Sequence, residues 1–444
     1  MEKKKLEVTP GFRLNPENGC LERGYPKMMS TEGFYLAGRG SKLRLLDNRY
    51  RYAVAVYKLE LSDRYIHTYD YAAEQIWGTY DGESLQRGFS EDEYIFTGRC
   101  YFRLCLRRVD GEAIIDSEAE NVEGLVEYAS NVSMCTPKVF HEEVRRIADK
   151  IQTIRQAGDL VVALLTDTHA TVNGTWQDTA ANICALQEKV HFDAVIHLGD
   201  MTDGTVSKTM TKFYVSSMIR DLNSLNVPIH IVLGNHDANY FQGNPEIMPL
   251  HEQAALYQAG ADKWKHDKDK TYYYVDYPEQ SLRMLYLSSY ENEAFPRYGF
   301  DLTQISWVRN TLNTVPANWR VLIFAHDAPL PELDPWSDEI RDGKLLMQIL
   351  DRSQAQIQAY IHGHAHADYV YHWQGRRKFP IIAIGCAKCE DMLERKVEGS
   401  FTPTRKLGEV SQELWDVLIV KKSGQLNFVR FGAGEDRYIR EESQ

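Results

Sequence analysis

The apolar rhythm of the chain changes near residue 160. Before it, Tyr52–Tyr57 (Y-A-V-A-V-Y) and Cys100–Leu106 (C-Y-F-R-L-C-L) alternate or run apolar over strand length. Phe102, Leu104 and Leu106 should face one side of such a strand, and Tyr101 and Arg103 the other. Turns at Gly33, Gly38-Arg-Gly40, Asp81-Gly82, Gly98 and Asp110-Gly111 punctuate the region at roughly ten-residue spacing. This pattern predicts an all-β sandwich, jelly-roll-like, over residues 1–125. Residues 126–137 show no periodicity and read as a linker. Val139, Phe140, Val144, Ile147, Ile151 and Ile154 then recur at helical spacing up to Gly158, so 126–158 is expected to be linker and helix.

From Leu160 onward, continuous apolar runs alternate with helical stretches. The runs are Leu160–Leu165, Ala194–Leu198, Ile229–Leu233, Val321–Ala325 and Ala359–Ile361, each read as a strand buried on both faces. Ile183-Leu186-Val190, Phe213–Leu225 and Ile305–Leu312 have helical period. Leu414–Val420 and Leu426–Phe431 predict two further strands. Residues 159–444 therefore read as one α/β domain.

Composition narrows the partners. A net charge of −12 argues against broad nucleic-acid binding, which needs basic surface. The start, Met1-Glu-Lys-Lys-Lys-Leu-Glu, has no apolar run behind its lysines, and no stretch reaches ~18 apolar residues. A cytoplasmic protein without a membrane span is expected, with phage association or non-classical export as the alternatives. Seven scattered cysteines suit a reducing compartment, and Cys386-Ala-Lys-Cys389 reads as a reduced structural pair. Eleven of the 26 tyrosines and Trp77 lie in the N-terminal region. They form either an aromatic face for a glycan or protein ligand, or half-buried strand positions that only pack.

Five short motifs end the apolar runs of the second region. They are Asp167-Thr-His169, Gly199-Asp200-Met-Thr-Asp203, Gly234-Asn235-His236-Asp237, Ala325-His326 and Gly363-His364-Ala-His366. In open α/β sheets ligands bind off the carboxyl ends of strands, so these loops should converge. Two Asp, one Asn and several His fit a pair of borderline divalent ions such as Mn, Fe or Zn. Asp200 is the natural bridge, because one carboxylate can neutralise two cations. The glycine before His364 leaves room for close backbone approach. His197, His230 and His362 sit in or beside apolar strands and read as satisfied core or near-site residues.

The ordered set D-x-H, G-D-x-x-D, G-N-H-D, H and G-H-x-H resembles the calcineurin-like metallophosphoesterases over roughly residues 160–370. The resemblance implies a four-layer αββα core behind the β-sandwich, and hydrolysis of a phosphomonoester or phosphodiester. It implies that one metal takes Asp167, His169, Asp200 and His366, and the other Asp200, Asn235, His326 and His364. A hydroxide between the metals would attack phosphorus in line, without a phospho-enzyme. His236 would contact the phosphate and assist the leaving group, with Asp203 and Asp237 orienting ligands and imidazole from behind. A nucleotide pyrophosphatase or cyclic-nucleotide diesterase is the alternative enzyme, with Tyr240 or Tyr290 stacking the base. The alternative of another class is a glycan-binding or phage structural protein with a vestigial site. Pocket walls are expected from Asn239-Tyr240-Phe241, Tyr272–Tyr274 and Tyr290–Phe300. Arg297 and Asn173-Gly174 within or near these loops read by default as a surface arginine and a plain turn. The Gly-rich Phe431–Arg437 stretch should cap the final strand.

Overall fold

The computed structural model describes residues 2–17, 19–58, 80–81, 88–97, 100–132, 135–170, 175–205, 208–241, 244–259, 270–389 and 397–440. Asn173-Gly174 and Trp77 lie outside the described residues.

The N-terminal region holds two antiparallel sheets. One runs β1 (Glu2–Lys4), β10 (Val126–Ser130), β5 (Lys42–Leu45), β8 (Tyr94–Ile95). The other runs β2 (Thr9–Leu14), β3 (Leu21–Ser30), β9 (Cys100–Arg108), β6 (Tyr50–Lys58), β7 (Tyr80–Asp81), with β4 (Tyr35–Ala37) also on β9. A short helix, α1 (Asp116–Glu120), precedes β10. Leu43, Val126 and Tyr128 of the first sheet pack with Val54, Phe102, Leu104 and Leu106 of the second, so the sandwich has one core. The alternation in β9 is as expected, but its other face is buried as well. Tyr101 and Cys105 join a second cluster with Met210, and Arg103 is fully buried.

The expected linker needs correction. Residues 126–130 are a strand hydrogen-bonded to β1 and β5, with Val126, Tyr128 and Ser130 turned inward. Five residues give too short an alternation to stand out in the sequence. The helix after it, α2 (His141–Ile154), is likewise no spacer. Its face of Val144, Ile147, Ala148 and Ile151 is part of the core of the α/β domain described next.

That domain stacks two six-stranded sheets. The first orders β13 (Ile229–Ile231), β12 (Ala194–His197), β11 (Leu160–Leu165), β20 (Leu414–Val420), β21 (Leu426–Gly432), β22 (Arg437–Ile439). The second orders β14 (Tyr273–Tyr277), β15 (Leu282–Tyr286), β16 (Arg320–Ala325), β17 (Gln356–His362), β19 (Lys378–Ile384), β18 (Asp368–Gln374). Strand periodicity sorts the layers. Leu160, Val162 and Leu164 of β11 meet Met284, Leu322, Phe324, Ile361 and Ile382 of the other sheet. Val161, Ala163 and Leu165 face α2, α3 (Trp176–Val190) and α4 (Lys208–Asn223), with Tyr257 of α5 (Leu250–Tyr257). Beyond the second sheet, α6 (Leu302–Asn313) and α7 (Gly343–Arg352) close a fourth layer on Val321, Ile323 and Tyr360.

Two expectations shift here. Tyr272–Tyr274 is not a pocket loop, since Tyr273 lies in edge strand β14, fully buried and stacked on Tyr286. The Gly-rich stretch after β21 leads into a third C-terminal strand, β22. The two sheets are also tied by charge: Arg430 of β21 bonds Asp416 of β20 and reaches across to Asp368 of β18. Among the described residues no helix is long and apolar enough to cross a membrane.

Candidate metal centre

Every motif residue leaves the carboxyl end of a strand. Asp167 and His169 follow β11, Asp200 follows β12, Asn235 follows β13, His326 follows β16, and His364 and His366 follow β17. Asp167, His169, Asp200, His364 and His366 all hold left-handed backbone, with φ of 51°, 43°, 54°, 59° and 49°. Such conformations are costly for residues with a side chain and persist where surrounding structure fixes them. The loops interlock closely enough that glycine is required twice. A Cβ on Gly363 would lie 1.9 Å from Thr166 Oγ1, and one on Gly234 would lie 2.2 Å from Asp200 Oδ1.

The side chains meet. Asp167, His169 and His366 form one cluster, and Asp200, His326 and His364 another, with His169 and His236 beside Asp200. Asn235 Oδ1 lies 2.9 Å from His326 Nε2, which is itself 3.2 Å from Asp200 Oδ2. All seven expected ligands thus converge, as does His236.

Outer hydrogen bonds decide which nitrogens face inward. His326 Nδ1 donates to the Leu198 carbonyl at 2.8 Å. In neutral His326 that leaves Nε2 as an acceptor, facing two more acceptors, Asn235 Oδ1 and Asp200 Oδ2. His169 Nδ1 lies 3.1 Å from Asp203 Oδ1. With Nδ1 turned to that carboxylate, Nε2 faces His366 Nε2 at 3.2 Å and Asp167 Oδ1 at 3.8 Å. Asp167 Oδ1 and Asp200 Oδ2 are buried with no hydrogen-bond donor. Acceptors turned on one another in a buried space are satisfied by cations at their centre, so this donor set fits divalent metals.

Protonation follows the same logic. Burial works against charge on His326, but Asp200 and Asp327 prevail and hold it well above the usual imidazole range. Burial is likewise overcome at His169 by Asp167 and Asp203, raising it to about 9. Asp167 and Asp200 are held far below the ordinary carboxylate value against their burial, chiefly by His366 and by His326 respectively. These are sites already arranged for positive charge at their centre. His236 differs: burial outweighs Asp200 and lowers it to about 4. Its Nδ1 donates to the Asp203 carbonyl at 2.7 Å, and its ring stacks on Phe241 with centroids 3.6 Å apart.

Asp237 staples two loops, its carboxylate accepting from the backbone N–H groups of Asp200, Met201 and Gly234. Asp203 faces His169 and Lys388, with Lys388 Nζ 3.5 Å away. Lys388, Asp327 and Asp334 are site residues that sequence reading missed. Lys388 sits inside the C-x-x-C motif, where the cysteines drew attention and the cation did not. The motif's backbone is fixed on the Asp167 loop: Ala387 N donates to Thr166 O, Lys388 N to Asp167 O. Arg297 is no bare surface residue; its guanidinium lies 4.0 Å over the Tyr240 ring. Tyr290 is buried against Tyr298, whose ring centroid is 5.2 Å from that of His364.

Residues 160–368 match the family profile described as calcineurin-like phosphoesterase. No curated protein matches the chain in sequence. Among solved structures, a dimetal phosphatase from Danio rerio is similar at 14% identity and TM-score 0.49, covering 63% of this chain and 98% of that one. Phosphopantetheinyl hydrolase from Mycobacterium tuberculosis is similar at 12% identity and TM-score 0.33, covering 52% of this chain and 91% of that one. A putative 5′-nucleotidase from Staphylococcus aureus is similar at 12% identity and TM-score 0.35, covering 64% of this chain and 55% of that one.

Proposed function

We propose, from the membership of residues 160–368 in the calcineurin-like phosphoesterase family, that this metal-dependent hydrolase cleaves phosphomonoesters or phosphodiesters at a dinuclear centre. The observation that carries the reading is the convergence of Asp167, Asp200, Asn235 and His326, whose buried carboxylates, with Asp167 Oδ1 and Asp200 Oδ2 unpartnered, draw positive charge to their centre. Asp167, His169, Asp200 and His366 would hold one ion, and Asp200, Asn235, His326 and His364 the other. Mn, Fe or Zn suits these imidazole and oxygen donors. When bound, such a pair supplies an activated water nucleophile and neutralises charge on the transferred phosphoryl group.

The chain's own residues divide the remaining work. Asp237 fixes the two loops that carry Asp200 and Asn235. Asp203 orients His169 through its carboxylate and His236 through its carbonyl. With Nδ1 donating to that carbonyl, His236 presents Nε2 to the cleft, and its side chain is the most exposed of the site's imidazoles at 20%. Nε2 can release a proton to a leaving oxygen only after taking one up. Burial disfavours that charge, and an anionic ester beside the ring supplies the partner that favours it. Cys386 is buried with its thiol donating to Asp167 O, so it serves the loop and not as a nucleophile.

A nucleotide pyrophosphatase or cyclic-nucleotide diesterase is the second reading, favoured by Tyr240, which stays partly exposed and lies edge-on to Phe241, the ring stacked on His236. Tyr290 is too buried to stack a base. The vestigial-site alternative loses its ground with all five motifs intact in a phosphoesterase domain.

With Mn²⁺ the protein should hydrolyse p-nitrophenyl phosphate or bis-p-nitrophenyl phosphate, and EDTA should abolish the reaction. Inactivity on both esters, with bound metal shown by elemental analysis, would refute the reading.

A further inference from the structure

His364 turns its Nε2 toward two carboxylates. Asp327 Oδ1 and Asp334 Oδ1 each lie 3.5 Å from that nitrogen. All three side chains are buried, and within hydrogen-bonding distance His364 Nε2 and Asp327 Oδ1 have no partner. Both acids are anchored independently of the imidazole. Asp327 Oδ2 accepts from Ser289 Oγ at 2.6 Å, and Ser289 Oγ accepts from Asp327 N at 3.0 Å. Asp334 Oδ1 accepts from the backbone N–H groups of Trp336 and Ser337 at 2.8 and 3.1 Å.

The turn at Asp334 also reaches His364 a second time. Trp336 Nε1 donates to the His364 carbonyl at 3.2 Å, while on the other side His364 N donates to Asp167 Oδ2 at 2.9 Å. His364 carries a left-handed backbone that must be held from outside. One four-residue turn therefore faces both its ring and its carbonyl.

We propose that Asp334, with Asp327 beside it, is a positioning residue for His364: the pair takes up the Nε2–H and leaves Nδ1 as the nitrogen offered toward Asp200 and His326. The inference rests on the dinuclear reading of the centre. Carboxylates behind metal-binding imidazoles fix tautomer and ring orientation, and their loss costs ~10–100-fold in metal affinity or activity.

Asp334→Asn tests this, because its Oδ1 still serves Trp336 and Ser337 while the charge is gone. In metal-free protein labelled with ¹⁵N-histidine, with His364 assigned through His364→Gln, wild type should show the Nε2–H tautomer. Asp334→Asn should shift it toward Nδ1–H. Calorimetric titration with Mn²⁺ should then show two sites in wild type and one weakened ~10–100-fold in the variant. Unchanged tautomer and unchanged affinities would overturn the proposal. So would three ions per wild-type chain and two in the variant, since the acids would then be ligands of a further cation. Wild type that binds no metal yet shows the Nε2–H form would sink the dinuclear reading and leave the Asp334–His364 pairing standing. Should Asp334→Asn not fold, Asp327→Asn is read by the same two measurements.

Discussion

Asp200 and His236 are neighbours with opposite duties, and substitution should separate them. Asp200 Oδ2 lies 3.2 Å from His326 Nε2, 3.7 Å from His169 Nε2 and 3.8 Å from His236 Nε2. One oxygen thus faces an imidazole from each half of the centre. Asp200→Asn should lose bound metal and activity together, measured by elemental analysis beside turnover. His236 contributes a backbone-fixed ring and no anion. His236→Ala should keep its metal content while kcat drops by ~10²–10⁴; metal loss in that variant would contradict its role. Residues of this kind were legible because each stands where an apolar run gives way to Gly, Asp, Asn or His. Asp327, Asp334 and Lys388 were not, because what gives them meaning arrives from elsewhere in the chain. Asp334 matters only because β17 brings His364 to it. Lys388 matters only because Asp203 waits beneath it.

At the scale of elements, many strands buried on both faces announced themselves, and the edge strands β14, β18 and β22 did not. β11 is an unbroken apolar run, and β12 and β16 are apolar but for His197 and Arg320 at their ends, so α/β alternation could be expected where they occur, while the four-layer stack was implied only by the family resemblance. β14 carries tyrosine and aspartate on the less buried positions of an edge strand, and its start read as a pocket loop. Burial on both faces has its own consequence for a polar residue, and β13 shows it. His230 is fully buried and stacked on Tyr286 with centroids 4.9 Å apart, and its Nδ1 finds no partner. Burial lowers its pKa to about 3. The unfolded chain therefore binds a proton near pH 6.5 that the folded chain refuses until about pH 3. Stability attributable to this position is intact above that window and declines as pH falls through it. His230→Phe removes the titration. Between pH 6 and 4 its unfolding free energy should fall less steeply than wild type, by about 1.4 kcal/mol per pH unit. Parallel profiles from urea unfolding at several pH values would refute this.

At the scale of the whole molecule, α4 joins the β-sandwich to the metal centre. Val215, Met218 and Leu222 turn one face of the helix into the phosphoesterase core. Met210 and Phe213 turn another toward the sandwich. The Phe213 ring packs on Tyr35 with centroids 5.2 Å apart, and a Cβ on Gly33 would come within 2.9 Å of it. Met210 Sδ lies 3.5 Å from Arg103 Nη2, on the face of β9 that alternation alone would assign to solvent. Between them, Thr211 Oγ1 donates to Asn239 Oδ1 at 2.8 Å, three residues beyond His236. The aromatic wealth of the N-terminal region thus includes residues that dock, and Tyr35 is one of them. Phe213→Asp deletes a partly buried ring and places a charge in an apolar seam, a change worth less than the ~3–5 kcal/mol of a fully buried Phe. The sandwich and the phosphoesterase core should then unfold separately, as two heat-absorption peaks where wild type gives one. Retention of a single peak at the wild-type temperature would show that the seam holds nothing together, and α4 would be a layer of one domain only.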